Sequence, residues 1–153
     1  HIIIIKTILR MKNFFVIIFS FLLISCGLEH NKVDDAVAIC WEAQQTDKNP
    51  TIDFDKAFDF EWDSLRFYSV GCSLEDINRD LGFPLTEYTD LAGRMVFLNH
   101  GKPAYITGWW YNTEKPSGTT IGCNGSVFKT DRKHAKFRIQ KRGNLYILWP
   151  QQR

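Results

Sequence analysis

Residues 65–84 read Leu65-Arg66-Phe67-Tyr68-Ser69-Val70-Gly71-Cys72-Ser73-Leu74-Glu75-Asp76-Ile77-Asn78-Arg79-Asp80-Leu81-Gly82-Phe83-Pro84. The apolar and aromatic residues from Leu65 to Val70 predict a strand. Gly71 then turns the chain. Ser73 is a helix cap, with Glu75 and Asp76 in the first turn, where acids suit the helix dipole. Leu74, Ile77 and Leu81 give an apolar stripe at helical spacing, and Gly82-Phe83-Pro84 ends it. A strand that feeds a capped helix, with more strands on either side, predicts an α+β fold.

The flanks agree. Upstream, Val33, Val37 and Cys40-Trp41 recur at about four, so Val33–Gln45 reads as a second helix, and Thr46–Pro50 breaks it. In residues 51–63, Ile52, Phe54, Phe58, Phe60 and Trp62 share one parity, and Asp53, Asp55, Asp59, Glu61 and Asp63 share the other. That period of two predicts extended chain with one buried face, bent at Lys56-Ala57. Downstream, Met95–Leu98 and Ala104–Ile106 flank Asn99-His100-Gly101-Lys102, and Pro116-Ser117-Gly118 is a turn. Asn124-Gly125, between Thr119–Cys123 and Ser126–Thr130, is the strongest two-residue hairpin cue, and Gly143-Asn144 separates Phe137–Gln140 from Leu145–Trp149. The expected architecture is one antiparallel sheet of about six strands with one or two helices packed on it. The length of 153 residues suits one domain, over residues 33–153. A chain that is 44% hydrophobic and 24% charged is neither a disordered tail nor a multi-span membrane protein.

The start of the chain reads as an address. Met11-Lys12-Asn13 is a short basic segment, Phe14–Ile24 is apolar except for Ser20, and Ser25-Cys26 follows. This is the pattern of a secretory signal over residues 1–25, of which 1–10 precede the plausible start and are expected to be untranslated. The run is shorter than the roughly 20 apolar residues a transmembrane helix needs. Leu23-Ile24-Ser25-Cys26 resembles the lipobox of bacterial lipoproteins. That resemblance implies cleavage before Cys26, acylation of its thiol and amine, and a mature chain held at an envelope membrane, on its periplasmic or surface face, by a tether over residues 26–32.

Processing would also change the charge. Removing Lys6, Arg10 and Lys12 leaves 16 basic against 17 acidic residues. Residues 26–90 carry 15 acids and five bases, and residues 91–153 carry two acids and 11 bases. In one small domain such halves are expected to lie side by side and neutralise.

Residues 70–84 resemble a motif of the SmpA/OmlA-type accessory lipoproteins of outer-membrane protein assembly: Gly71, then Ser73, then Ile77, then Leu81-Gly82-Phe83-Pro84. The resemblance implies a sheet-plus-helix fold with a hairpin following, for which Val96–Ile106 is the candidate, and makes a barrel-assembly role one option. A second resemblance is narrower. Thr120-Ile121-Gly122-Cys123-Asn124 resembles the cysteine motif of L,D-transpeptidases, although the histidine of that family's motif is Ile121 here. A nucleophilic Cys123 would need His100 or His134 as its base.

Once Cys26 is lipidated, Cys40, Cys72 and Cys123 remain. Cys72 precedes a helix and Cys123 ends a strand beside a tight turn, so an oxidising compartment favours a Cys72–Cys123 disulfide, with Cys40 a buried thiol. With neither a CxxC nor a Cys/His cluster, no zinc is expected. The acidic residues of 53–63 lack the glycine and glutamate of a calcium-binding EF-hand loop, so no metal or other cofactor is expected. Of the consecutive aromatics Trp109-Trp110-Tyr111, one tryptophan should face outward, and the three form a candidate contact surface. The basic cluster Lys129, Arg132, Lys133, Lys136, Arg138, Lys141 and Arg142 puts Lys136 and Arg138 on one strand face. An envelope protein, peptidoglycan or anionic lipid suits those side chains, and nucleic acid does not suit the compartment. The expected function is a non-enzymatic, lipid-anchored interaction or scaffold module. The alternatives are an accessory factor of outer-membrane assembly and a Cys123-dependent cell-wall transpeptidase.

Overall fold

The structure, a computed structural model, describes residues 31–86 and 91–151. The signal segment and the expected lipidation site Cys26 lie outside the described residues. Helix α1 (Lys32–Ala43) is followed by strand β1 (Thr51–Asp53), one helical turn α2 (Phe54–Ala57), β2 (Ser64–Tyr68) and helix α3 (Leu74–Leu81). Then come β3 (Ala92–Asn99), β4 (Lys102–Trp110), β5 (Ser117–Ile121), β6 (Val127–Asp131), a 3-10 turn at Arg132–His134, β7 (Lys136–Arg142) and β8 (Asn144–Pro150). The α+β class holds, with two four-stranded sheets where a single six-stranded one was expected. Sheet I has the order β1-β7-β8-β5 and sheet II the order β4-β3-β2-β6.

The sheets bury one shared core. From sheet II it takes Leu65, Phe67, Met95 and Phe97; from sheet I, Ile52, Ile121, Phe137, Ile139 and Leu148. Phe54 of α2 bridges them, its ring 6.0 Å from Phe97 and 4.9 Å from Phe137. Val33 and Val37, both fully buried, bring α1 into the same core. A second, smaller core lies on the outer face of sheet II, where Ile77 and Leu81 of α3 pack on Tyr68, Val96 and Leu98.

Local chemistry explains the elements. Asn31 caps α1, its side chain accepting from the backbone of Val33 and Asp34, and its amide donates to Thr107 Oγ1 at 2.7 Å. Asn31 and Lys32, expected in the tether, therefore belong to the domain. Ser73 caps α3, and Gly82 ends it at φ +81. The β3–β4 hairpin turns on His100 (φ 52) and Gly101 (φ 76), and Asp63 Oδ2 accepts the His100 amide at 2.7 Å. The β7–β8 hairpin turns on Gly143 (φ 59).

Two expectations fail in instructive ways. Asn124-Gly125 does not close a hairpin: β5 pairs in parallel with β8 in sheet I, β6 pairs with β2 in sheet II, and the turn carries the chain between sheets. Residues 51–63 are not one strand. Asp53 accepts the Asp55 amide and starts α2, so only residues 51–53 pair, and Phe58, Phe60 and Trp62 reach the core from irregular chain. Among the described residues no helix is long and apolar enough to cross a membrane.

Candidate functional site

A cleft of about 330 Å³ is lined by residues from both sheets and the segments that follow β2 and β4. One wall is Ser69-Val70-Gly71, beyond β2, with the end of β4 and its continuation, Trp109 to Asn112. The other is Pro116 to Thr120 of β5 and its approach, with Leu145 at the start of β8. None of the lining side chains is charged. Rings, hydroxyls and one amide form the surface.

Trp109 and Trp110 alternate as consecutive strand residues must. Trp109 turns inward and holds the two sheets together. Its ring lies on Gly118, where a Cβ would come within 2.2 Å of the indole; Gly118 also adopts φ +82, so side chain and backbone both require glycine there. The Trp109 indole N–H donates to both Asp34 carboxylate oxygens at 3.0 and 2.9 Å, and Thr119 Oγ1 donates to Asp34 Oδ1 at 2.6 Å. Asp34, in the first turn of α1, thus joins edge strand β4 of sheet II to edge strand β5 of sheet I. Trp110 and Tyr111 point out, 66% and 51% exposed, and neither side chain has a hydrogen-bond partner among the described residues. Asn112 Oδ1 accepts the Glu114 and Lys115 amides at 2.9 and 3.0 Å, which fixes the loop over the cleft.

The structure does not bring Lys136 and Arg138 to this site. Both lie on the outer face of sheet I, and Arg138 pairs across with Trp149, four residues along β8 from the cleft residue Leu145, about 13 Å away. Lys136 sits 3.9 Å from Asp53, and Arg138 has no acid partner among the described residues. The remaining charges pair much as the two halves of the sequence suggest. Arg132 meets Asp55 at 2.6 Å and Glu61 at 3.3 Å across the halves, whereas Lys32 meets Asp59 at 3.1 Å within the acidic half. Lys129 pairs with Asp80. Among the described residues no group of histidine, cysteine and carboxylate side chains is placed to hold a metal.

Cys40, Cys72 and Cys123 are free thiols in this structure. Cys72 Sγ donates to the Ser126 carbonyl at 3.3 Å and Cys123 Sγ to the Gly125 carbonyl at 3.5 Å, so both converge on one turn. Burial, and then the neighbouring Cys72, push the Cys123 thiol up from its ordinary value. A cysteine nucleophile needs the opposite shift. The two candidate bases are turned elsewhere, His134 Nδ1 to Asp131 at 2.7 Å and His100 toward Asp63 at 3.9 Å.

Asp34, Gly118 and Thr119 were not foreseen as parts of a site. Asp34 has the position of an ordinary helix-start acid, and nothing local connects it to residues 75 and 85 positions away. Gly118 lies in a stretch readable only as a turn. The chain matches no protein-family model, no curated protein and no solved structure.

Proposed function

We propose that this chain is a lipid-anchored cell-envelope protein that binds a partner without chemistry, and that the partner is a neutral saccharide segment of the cell wall. The observation that carries the reading is the uncharged cleft, with Trp110 and Tyr111 exposed at its mouth. Sugars offer apolar C–H faces to aromatic rings and hydroxyls to Ser117, Thr120 and Asn112, and a pocket with an apolar lining and few polar groups suits such a ligand. The lipobox-like Leu23-Ile24-Ser25-Cys26 supports the anchor. From Cys26 to the cap Asn31 the chain reaches at most about 17 Å, which would keep α1 and the cleft close to the membrane.

The test is co-sedimentation of the mature protein with purified peptidoglycan. Trp110→Ala and Tyr111→Ala should each lower the bound fraction at least five-fold while melting like the parent. Equal sedimentation of parent and variants removes the saccharide reading. Replacing Cys26 with Ser should release the chain from membranes or leave it unprocessed, and membrane retention at mature size would refute the anchor.

A second reading, an accessory lipoprotein of outer-membrane protein assembly, is supported by the Gly71–Pro84 motif: Ser73 caps, Ile77 and Leu81 are buried, Gly82 ends the helix and the β3–β4 hairpin follows. Crosslinking in cells that recovers no barrel-assembly component removes it. The transpeptidase reading depends on Cys123 as a thiolate, which its raised pKa opposes. Fast alkylation of Cys123 at neutral pH would revive it.

A further inference from the structure

Cys72 and Cys123 are 51 positions apart, yet their sulfurs donate to the carbonyls of consecutive residues, Ser126 and Gly125. The junction around Cys72 is held there by backbone: Ser69 N donates to Ser126 O at 2.8 Å, and Cys72 N to Ser69 O at 3.0 Å. The two thiols are near enough that Cys72 contributes to the shift at Cys123. Each cysteine also ends a wall of the cleft. Ser69-Val70-Gly71 leads directly into Cys72, and Thr119 and Thr120 lie four and three residues before Cys123. The walls belong to different sheets, joined at this end by the Asp34 bonds to Trp109 and Thr119.

We infer that Cys72 and Cys123 form a disulfide that clamps the two walls of the cleft, leaving Cys40 as a single thiol on α1. The bond forms by exchange with an oxidised low-molecular-weight or protein disulfide. The Cys72 thiolate attacks one sulfur of the donor and expels the other as a thiolate. Cys123, after losing its proton, then attacks the Cys72 sulfur of the mixed disulfide and expels the second donor thiolate. Two thiols of this chain lose two protons and two electrons, and the donor disulfide becomes two thiols. A space that supplies such donors is what the envelope reading implies. The geometry does not depend on that reading.

The experiment treats the purified mature chain, under native conditions, with oxidised glutathione. The expected product is lighter by two hydrogens, yields a Cys72–Cys123 linked peptide, and keeps Cys40 open to alkylation. It melts roughly 10 °C above the reduced chain, because the bond closes a loop of about 50 residues. Backbone amides at Ser69–Gly71 and Thr119–Thr120 exchange hydrogen more slowly in the oxidised form, and the Cys40→Ser variant gives the same result. Retained glutathione, a bond to Cys40, or equal exchange at both walls in the two forms overturns the inference. Comparing the two redox forms of one protein avoids any variant that fails to fold. The thiol state of the chain taken directly from cells reads the compartment separately, so a reduced chain there speaks against the envelope reading and leaves the pairing to the purified protein.

Discussion

The outer faces of the two sheets differ in what covers them. Sheet II is roofed by α3. Tyr68, Val96 and Leu98 on that face are nearly inaccessible, at 1, 0 and 2% exposure. Sheet I has no described helix on its outer face, where Lys136, Arg138 and Arg142 stand in solvent beside Trp149. The strands record this difference. Met95-Val96-Phe97-Leu98 of β3 is apolar without alternation, as a strand covered on both faces must be. In β7, Phe137 and Ile139 point into the core and alternate with Lys136 and Arg138 outside. The roofed face is therefore closed by α3, and the outer face of sheet I and the cleft are left open.

The sharpest way to break this comparison is to lift the roof. Ile77 is fully buried between α3 and sheet II, so Ile77→Ala should cost about 3 kcal/mol in urea unfolding. A cost below about 1 kcal/mol would mean that α3 adds little and that the two faces are alike.

The next effect is polar. Asp80 of α3 accepts from Tyr68 Oη at 2.7 Å and Arg66 Nη1 at 3.2 Å, and pairs with Lys129, so one carboxylate ties the helix to β2 and β6. Asp80→Ala should cost about 2 kcal/mol, measured in the same way. Its pKa carries a sign that can be checked. Burial raises it, but the hydrogen bonds from Lys129 and Tyr68 and the charges of Lys129 and Arg66 prevail and hold it below the ordinary carboxylate value. A carboxylate depressed in the folded state contributes stability at and above its unfolded value, near 4, and loses that contribution as pH falls through the folded value. The difference in stability between parent and Asp80→Ala should accordingly be constant above about pH 5 and shrink in acid. A difference that grows in acid would contradict the arrangement.

On the open face the effect should be smaller. Trp149 lies across sheet I, its indole N–H on Gln140 Oε1 at 2.9 Å and its ring where a Cβ on Gly122 would approach within 2.5 Å. Ile147, two residues back along β8, is only 8% exposed. With Trp149 itself 36% exposed, Trp149→Ala should cost about 1 kcal/mol, well under a fully buried tryptophan.

How far the sequence reveals this difference depends on the range of the interaction. The caps of α3, the β3–β4 and β7–β8 turns, the outward Trp110 and the mutual neutralisation of acidic and basic segments all rest on local chemistry or on charge totals, and are legible. The partner of a strand is not. Asn124-Gly125 encodes a change of direction, and the same tight turn serves a hairpin or a passage between sheets. The parallel pairing of β5 with β8 depends on residues some 27 positions apart, and period two says nothing of the neighbour. Half of the site is hidden for the same reason. Trp109-Trp110-Tyr111 stands out as an aromatic run, whereas its partners Asp34 and Thr119 have ordinary local roles and meet it only in the fold. Lys136 and Arg138 belong with the aromatics only while the chain is read as one sheet.

The smallest effect tests the open face most directly. Arg138 is exposed on β7, opposite Thr51 on one side and Trp149 on the other, with no acid partner among the described residues. If nothing in the domain needs its charge, Arg138→Ala should change stability by less than about 0.5 kcal/mol. A larger loss would mean that the face is covered and the comparison fails. The companion Arg138→Glu separates a spectator from a contact. It reverses a charge on a face that also carries Lys136 and Arg142, so adsorption of the unacylated Cys26→Ser chain to vesicles containing anionic phospholipid should weaken, and the difference should vanish as salt is raised. Adsorption unchanged by Arg138→Glu at low salt would remove the open face of sheet I as a candidate contact surface and leave the uncharged cleft as the one proposed.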